Sequence, residues 1–245
     1  MTRNNSLFVG KVVWITGAGG GVGQATARMF ADDGAILVLN DRYKERIAPL
    51  TNDLRSTGTN VLVCAGDLRD PITAERTVDL IKSQVGRLDI LVNSAGFNVA
   101  NRRWDDLTAQ AIDSVIETNL SAAFYCVAAA VPIMRQQGSG LTIHIASTDG
   151  IRMGMTGGPA YSASKHGLVA LSHSINLEEA GHGIRSCVIC PGGIDTPFLD
   201  HRANPPSAER RAVLLRPSDV AEAIAYVAST PASVRIDQIT ITPAI

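Results

Sequence analysis

The sequence predicts an α/β fold in which a doubly wound, mostly parallel sheet lies between two layers of helices. Three observations predict it. Short apolar runs are continuous rather than alternating, as strands buried on both faces read, and stretches with helical character intervene between them. Five glycines separate the first such strand from the first helix. Ala, Val, Ile and Gly are plentiful while aromatics make up 4% of residues, which suits close-packed helices on a sheet better than a β-sandwich.

Residues 11–16 (KVVWIT) form the first strand. Gly17, Gly19, Gly20, Gly21 and Gly23 follow, and Gln24 to Asp33 reads as a helix that can pack through Ala25, Ala27, Met29 and Phe30. Strand, glycine turn and helix together present backbone N–H groups to a phosphate, where a Cβ would hold a pyrophosphate away. Taken alone, the same residues suit an ordinary glycine-rich turn.

Residues 35–40 form the second strand and end at Asp41, 18 residues past Gly23. An acidic side chain there can accept hydrogen bonds from an adenosine ribose and repel a 2′-phosphate, which favours NAD over NADP. It can also simply cap the next turn. Arg42 argues the other way, since it could meet that phosphate or lie over the adenine. A helix over 43–57 stops at Gly58, and residues 61–65 form the third strand. Asp67, beside Leu68, suits either the adenine amino group or the cap of a helix starting near Pro71.

Residues 88–92 form the fourth strand, leading into Asn93-Ser94-Ala95-Gly96, whose small side chains leave room for a ligand where the strand order reverses. An amphipathic helical stretch over 109–137 carries Asn119, which if buried needs a partner. That partner is either a backbone carbonyl or a water near a lysine. Residues 142–146 form the fifth strand and end at Ser147, while His144 reads as a strand residue without a chemical role.

Tyr161 and Lys165 lie four residues apart on a helix read over 160–181, so they share a face. A phenol ionises near pH 10, and an adjacent ammonium can lower that by roughly 1–3 units, giving an acid/base suited to neutral pH. Isolated, the Y-x-x-x-K pattern is common. It gains meaning from the glycine turn and from Ser147, a second hydroxyl 14 residues upstream.

Residues 184–190 form the sixth strand, followed by Pro191-Gly192-Gly193-Ile194-Asp195-Thr196. A lid is expected at about 197–216, then a helix from Pro217 to about Ser229 and a last strand over 236–242. Cys187 and Cys190 make one C-x-x-C, but residues three apart on a strand point to opposite faces, so no metal site is expected. With Cys64 and Cys126 they read as reduced thiols of a cytoplasmic protein.

Net charge is −1 without a basic block, which argues against a nucleic-acid partner. The amino-terminal stretch lacks the apolar run of a signal peptide or membrane anchor. No linker or repeat divides the 245 residues, so a single domain is expected over 1–245.

Thr16-Gly17-x3-Gly21-x-Gly23, Asp67, Asn93-Ser94-Ala95-Gly96, Asn119, Ser147, Tyr161-x3-Lys165, Pro191-Gly192 and Thr196, in this order, resemble the short-chain dehydrogenase/reductase family over nearly the whole chain. The resemblance implies a Rossmann-like, seven-stranded sheet and hydride transfer between a nicotinamide and a carbinol carbon. It casts Tyr161 as acid/base, Ser147 as donor to the substrate oxygen, Lys165 as ribose ligand and Asn119 as holder of a relay water. Cofactor contacts are expected from Gly17, Gly21, Val22, Gly23, Asp41, Arg42, Asp67, Leu68, Asn93, Ala95 and Gly96, then from Tyr161 and Lys165, and finally from Pro191, Gly192, Ile194 and Thr196. A homotetramer or homodimer through helices 109–137 and 160–181 and the final strand is also implied, although the carboxyl terminus departs from many relatives in lacking an Asp-Gly-Gly.

The expectation is an NAD(H)-dependent oxidoreductase acting on a small secondary alcohol or ketone, with NADP(H) as the alternative cofactor. An epimerase or dehydratase would need a substrate region that this chain lacks, and a non-catalytic dinucleotide sensor would be expected to have lost Ser147, Tyr161 or Lys165. For the substrate, Arg102, Arg103, Arg152, His201 and Arg202 lie on three loops expected to border the pocket. Together they could hold a carboxylate, sulfonate or phosphate, though each alone suits a solvated loop, and a neutral cyclic or aliphatic alcohol is the alternative substrate. Arg152 leads because it follows Ser147 by five residues, and Met153 and Met155 would form an apolar wall beside it.

Overall fold

The computed structural model describes residues 7–244. The first six residues of the amino-terminal stretch read above, and Ile245, lie outside them. The strands are β1 (Val12–Thr16), β2 (Ile36–Asn40), β3 (Val61–Val63), β4 (Ile90–Asn93), β5 (Gly140–Ile145), β6 (Ile184–Pro191) and β7 (Gln238–Ile241). They form one seven-stranded sheet in the order β3-β2-β1-β4-β5-β6-β7, with every pair parallel. The sheet expected to be mostly parallel is wholly so.

The helices are α1 (Gly21–Asp32), α2 (Lys44–Ser56), α3 (Pro71–Gln84), α4 (Ala109–Ile116), α5 (Ala122–Gln137), α6 (Pro159–Glu178), α7 (Ala208–Ala212) and α8 (Pro217–Ser229). Strand parity divides the core between them. Val13, Ile15, Leu37, Leu39 and Val92 face α1, α2 and α8, while Val12, Trp14, Val38 and Leu91 face α3, α5 and α6. Cys187 falls in the first core and Cys190 in the second, as their spacing required. Such side chains are wholly buried, and cutting one back, as in Ile15→Ala, costs about 2–5 kcal/mol.

The stretch read as one helix over 109–137 is broken by a π-turn at Glu117–Ser121, which carries Asn119. This stretch is long and apolar enough to cross a membrane by composition, but here it packs against the sheet, α3 and α6. The lid region contains a 3₁₀ turn (Pro197–His201) and the short α7, and is tied back by a bridge between Ile194 and Leu215. The strand order reverses between β2-β1 and β4-β5, so the loops after β1 and β4 part at the carboxyl edge of the sheet and open a crevice there.

Candidate active site

A cleft of about 780 Å³ runs along that edge, from the glycine turn past Gly96 and Ser147 to Tyr161, Lys165 and Thr196. At one end the turn is shaped by close approach. Gly17 has φ +62°, and a Cβ there would sit 2.7 Å from the Ala95 backbone. A Cβ on Gly23 would sit 2.3 Å from the Gly17 carbonyl oxygen. Helix α1 begins directly at Gly21, and no side chain caps it, so its first N–H groups face the cleft. This cradle has the donors and the clearance that a pyrophosphate needs.

Asp41 lies beneath the turn. Its Oδ2 accepts from Gly19 N at 3.1 Å, its Oδ1 accepts from Tyr43 N at 3.3 Å, and Arg46 Nη1 lies 3.5 Å away. Arg46, which the sequence reading passed over, lines the cleft, while Arg42 turns aside to pair with Asp67 at 3.2 Å. Arg69 also grips Asp67, so although burial pushes that carboxyl up, its hydrogen bonds and the two guanidinium charges hold it below its ordinary value. Asp67 does not cap the helix at Pro71; Asp70 does, accepting from Ile72 N. Thr16 Oγ1 accepts from Ser94 N and Ala95 N and so binds the loop after β4 to β1. Leu68, Asn93 and Ala95 stand behind the cleft wall, against Asn119.

At the other end three side chains converge. Ser147 lies just past β5, accepts from Asp149 N at 3.0 Å and stands close enough to Tyr161 to favour its phenolate. Lys165 Nζ lies 5.5 Å from the centre of the Tyr161 ring and donates to the Ile145 carbonyl at 2.8 Å. Asn119 uses both amide hydrogens, on Phe97 O and Ser164 Oγ, and accepts from Phe97 N. The expected backbone partner is therefore present, and the residue clamps the loop after β4 to α6. The π-turn is what lets it reach both, since the extra residue swings the side chain out of the helical register.

The expected lowering of the tyrosine by Lys165 does not appear in this structure. Burial pushes the Tyr161 phenol up to about 12, with Asp149 adding to the rise, while Ser147, Arg202 and Arg102 oppose it. Lys165 is itself pushed down to about 8 by burial, and its ammonium is engaged with Ile145 rather than with the phenol oxygen. His144, buried between Asn93 and Thr142, is pushed down to about 3 by burial, with the Lys165 charge adding to it. It is neutral at any physiological pH.

The substrate loops are arranged differently from expectation. Arg152 and Met153 are exposed and lie outside the cleft, and Met155 is 84% exposed. The 3₁₀ turn at Thr148–Gly150 carries the chain to the surface directly after Ser147. Arg102, His201 and Arg202 do line the cleft, and the Phe198 ring lies 6.4 Å from that of Tyr161.

The short chain dehydrogenase family model matches residues 11–206. An uncharacterized oxidoreductase of Staphylococcus aureus strain MW2 is 32% identical over 238 residues, 97% of this chain and 99% of its own. Levodione reductase of Leifsonia aquatica is 33% identical over 241 residues, 92% of this chain and 90% of its own. A crystal structure of levodione reductase matches with a TM-score of 0.88 at 30% identity, covering 96% of this chain and 97% of that one. An alcohol dehydrogenase from Thermococcus sibiricus, complexed with 5-hydroxy-NADP, matches with a TM-score of 0.85 at 25% identity, covering 96% and 97%. The chain belongs to the short-chain dehydrogenase family of oxidoreductases.

Proposed function

We propose that the protein is an NAD(H)-dependent oxidoreductase that interconverts a small secondary alcohol and its ketone, acting as a homo-oligomer in the cytoplasm. The observation that carries this reading is the continuity of the cleft. One channel joins a phosphate cradle at Gly17–Gly23 to Ser147 and Tyr161, which line the same wall with Lys165 beside the tyrosine ring.

Bound nicotinamide would supply the acceptor or donor of a hydride. The glycine turn and the start of α1 would hold the pyrophosphate, and Asp41 would take the adenosine ribose. Lys165 would take the nicotinamide ribose, while Pro191, Gly192, Ile194 and Thr196, which line the cleft, would hold the nicotinamide. Ser147 donates to the substrate oxygen. As the carbinol C–H electron pair departs with its hydrogen and the C=O bond forms, Tyr161 accepts the hydroxyl proton; reduction runs the same steps backwards. With the ligands bound, the Lys165 charge would favour the phenolate over the phenol, and Asn119 holds the surrounding loop in register.

A second reading, NADP(H) preference, is favoured by one observation. Arg46 lies in the cleft beside Asp41 and could meet a 2′-phosphate. A panel of secondary alcohols and ketones with NAD(H) and NADP(H), followed by absorbance of the reduced nicotinamide, tests both. Turnover with NAD(H) in preference supports the first reading, turnover with NADP(H) the second, and no turnover with either rejects both.

A further inference from the structure

The wall facing Tyr161 carries more positive charge than the protein itself neutralises. Arg102, after β4, and Arg202, after the lid's 3₁₀ turn, both line the cleft and are half-buried. Among the described residues neither has a carboxylate within ion-pair distance. Asp200 of the lid and Asp195 just before it are taken elsewhere, because Arg211 pairs with both. Asp149 lies near enough for its charge to act on both arginines. One carboxylate among two guanidinium groups leaves a positive charge over.

Both side chains are set in place. Arg102 Nη1 donates to the Thr156 carbonyl at 3.2 Å, and its stem packs on Gly158, where a Cβ would come within 2.9 Å of Arg102 Cβ. Gly158 has φ +77° and immediately precedes α6, so Arg102 is registered to the helix that carries Tyr161. Arg202 holds a buried Nε with no hydrogen-bond partner. A guanidinium N–H left unpaired away from water is costly. Both guanidinium groups sit where positive charge is disfavoured, since burial and the Arg202 charge push Arg102 below its ordinary value and burial and the Arg211 charge do the same to Arg202. A neutral ketone would relieve neither burden, whereas a planar anion relieves both.

We propose that the substrate is an oxo acid, or the corresponding hydroxy acid, whose carboxylate is bound by Arg102 and Arg202 while its carbonyl or hydroxyl oxygen faces Tyr161 and Ser147. This rests on the reading of Tyr161 as the acid/base. In the reductive direction the hydride comes from NADH or NADPH, the proton comes from Tyr161, and the carboxylate is unchanged.

The test uses pyruvate, acetoacetate and levulinate, which set carboxylate and ketone at three spacings, each against its methyl ester. Wild type should turn over at least one acid with kcat/KM about tenfold or more above its ester. The acid-to-ester ratio should fall toward one in Arg102→Gln and in Arg202→Gln, with KM carrying most of the loss, and Arg202→Lys should recover part of it. A second readout needs no turnover. Calorimetry with the NAD-saturated protein should show butanoate or pentanoate binding, their methyl esters not, and the arginine variants losing the acids while keeping NADH affinity. Esters matching or exceeding every acid, or a ratio that survives both substitutions, overturn the proposal and leave the oxidoreductase reading intact. Turnover of no ketone, neutral ones included, by a protein that still binds NADH overturns both.

Discussion

Lys165 Nζ donates to the main-chain carbonyl of Ile145 at 2.8 Å, which joins the tyrosine helix to the end of the strand that delivers Ser147. The bond fixes the spacing of the two hydroxyls from beneath, and it keeps an ammonium in a place that burial disfavours.

That cost makes a prediction with a definite sign. Burial pushes Lys165 from an ordinary 10.5 down to about 8, so the unfolded chain holds this proton more tightly than the folded one. The penalty is full below pH 8, shrinks as pH rises and is gone above about pH 10.5. Without added cofactor, Lys165→Met should melt at or above the wild-type temperature at pH 7, and the difference should narrow towards pH 10. The same variant should lose both rate and NADH affinity. A variant that melts well below wild type at neutral pH, or that binds NADH normally, contradicts the assignment.

Cofactor choice turns on Asp41. Asp41→Ala removes a charge that repels a 2′-phosphate and leaves Arg46 free to attract one, while Arg42 stays with Asp67. The NADP(H)-to-NAD(H) ratio in kcat/KM should rise about tenfold on loss of this one buried charge. The variant should also melt lower, since Gly19 N and Tyr43 N lose their acceptor. A wild type that already prefers NADP(H) refutes the reading of Asp41.

Assembly is tested by the apolar side chains left outside the cores. Phe124 on α5 is 47% exposed and Leu177 on α6 is 85% exposed. Light scattering should give two or four times the 25.9 kDa chain mass, and Phe124→Glu with Leu177→Glu should shift it towards 25.9 kDa. A wild-type monomer with full activity would contradict a functional oligomer.

The sequence made the layers and the cleft ends legible because both depend on local pattern. Continuous apolar runs mark strands buried on two faces, and Gly17 and Gly23 mark a turn that no Cβ can enter. What the sequence concealed depends on which side chains meet. The π-turn around Asn119 leaves no trace in apolar spacing. Arg152 lies close to Ser147 along the chain, yet the 3₁₀ turn between them sends it to the surface. Arg42 was legible as a candidate near Asp41, but its capture by Asp67 was not, and Arg46 reaches the cleft one helical turn later. The tyrosine's raised pKa likewise follows from burial, which the Y-x-x-x-K spacing does not report.

The central claim is that Tyr161 moves the proton. The most direct test is Tyr161→Phe, assayed for NADH binding and for turnover on the same preparation. The hydroxyl is all that changes, so NADH affinity should stay within about threefold of wild type while kcat falls by about 10²–10⁴. A variant that keeps more than about a tenth of wild-type kcat would show that the proton travels by another group.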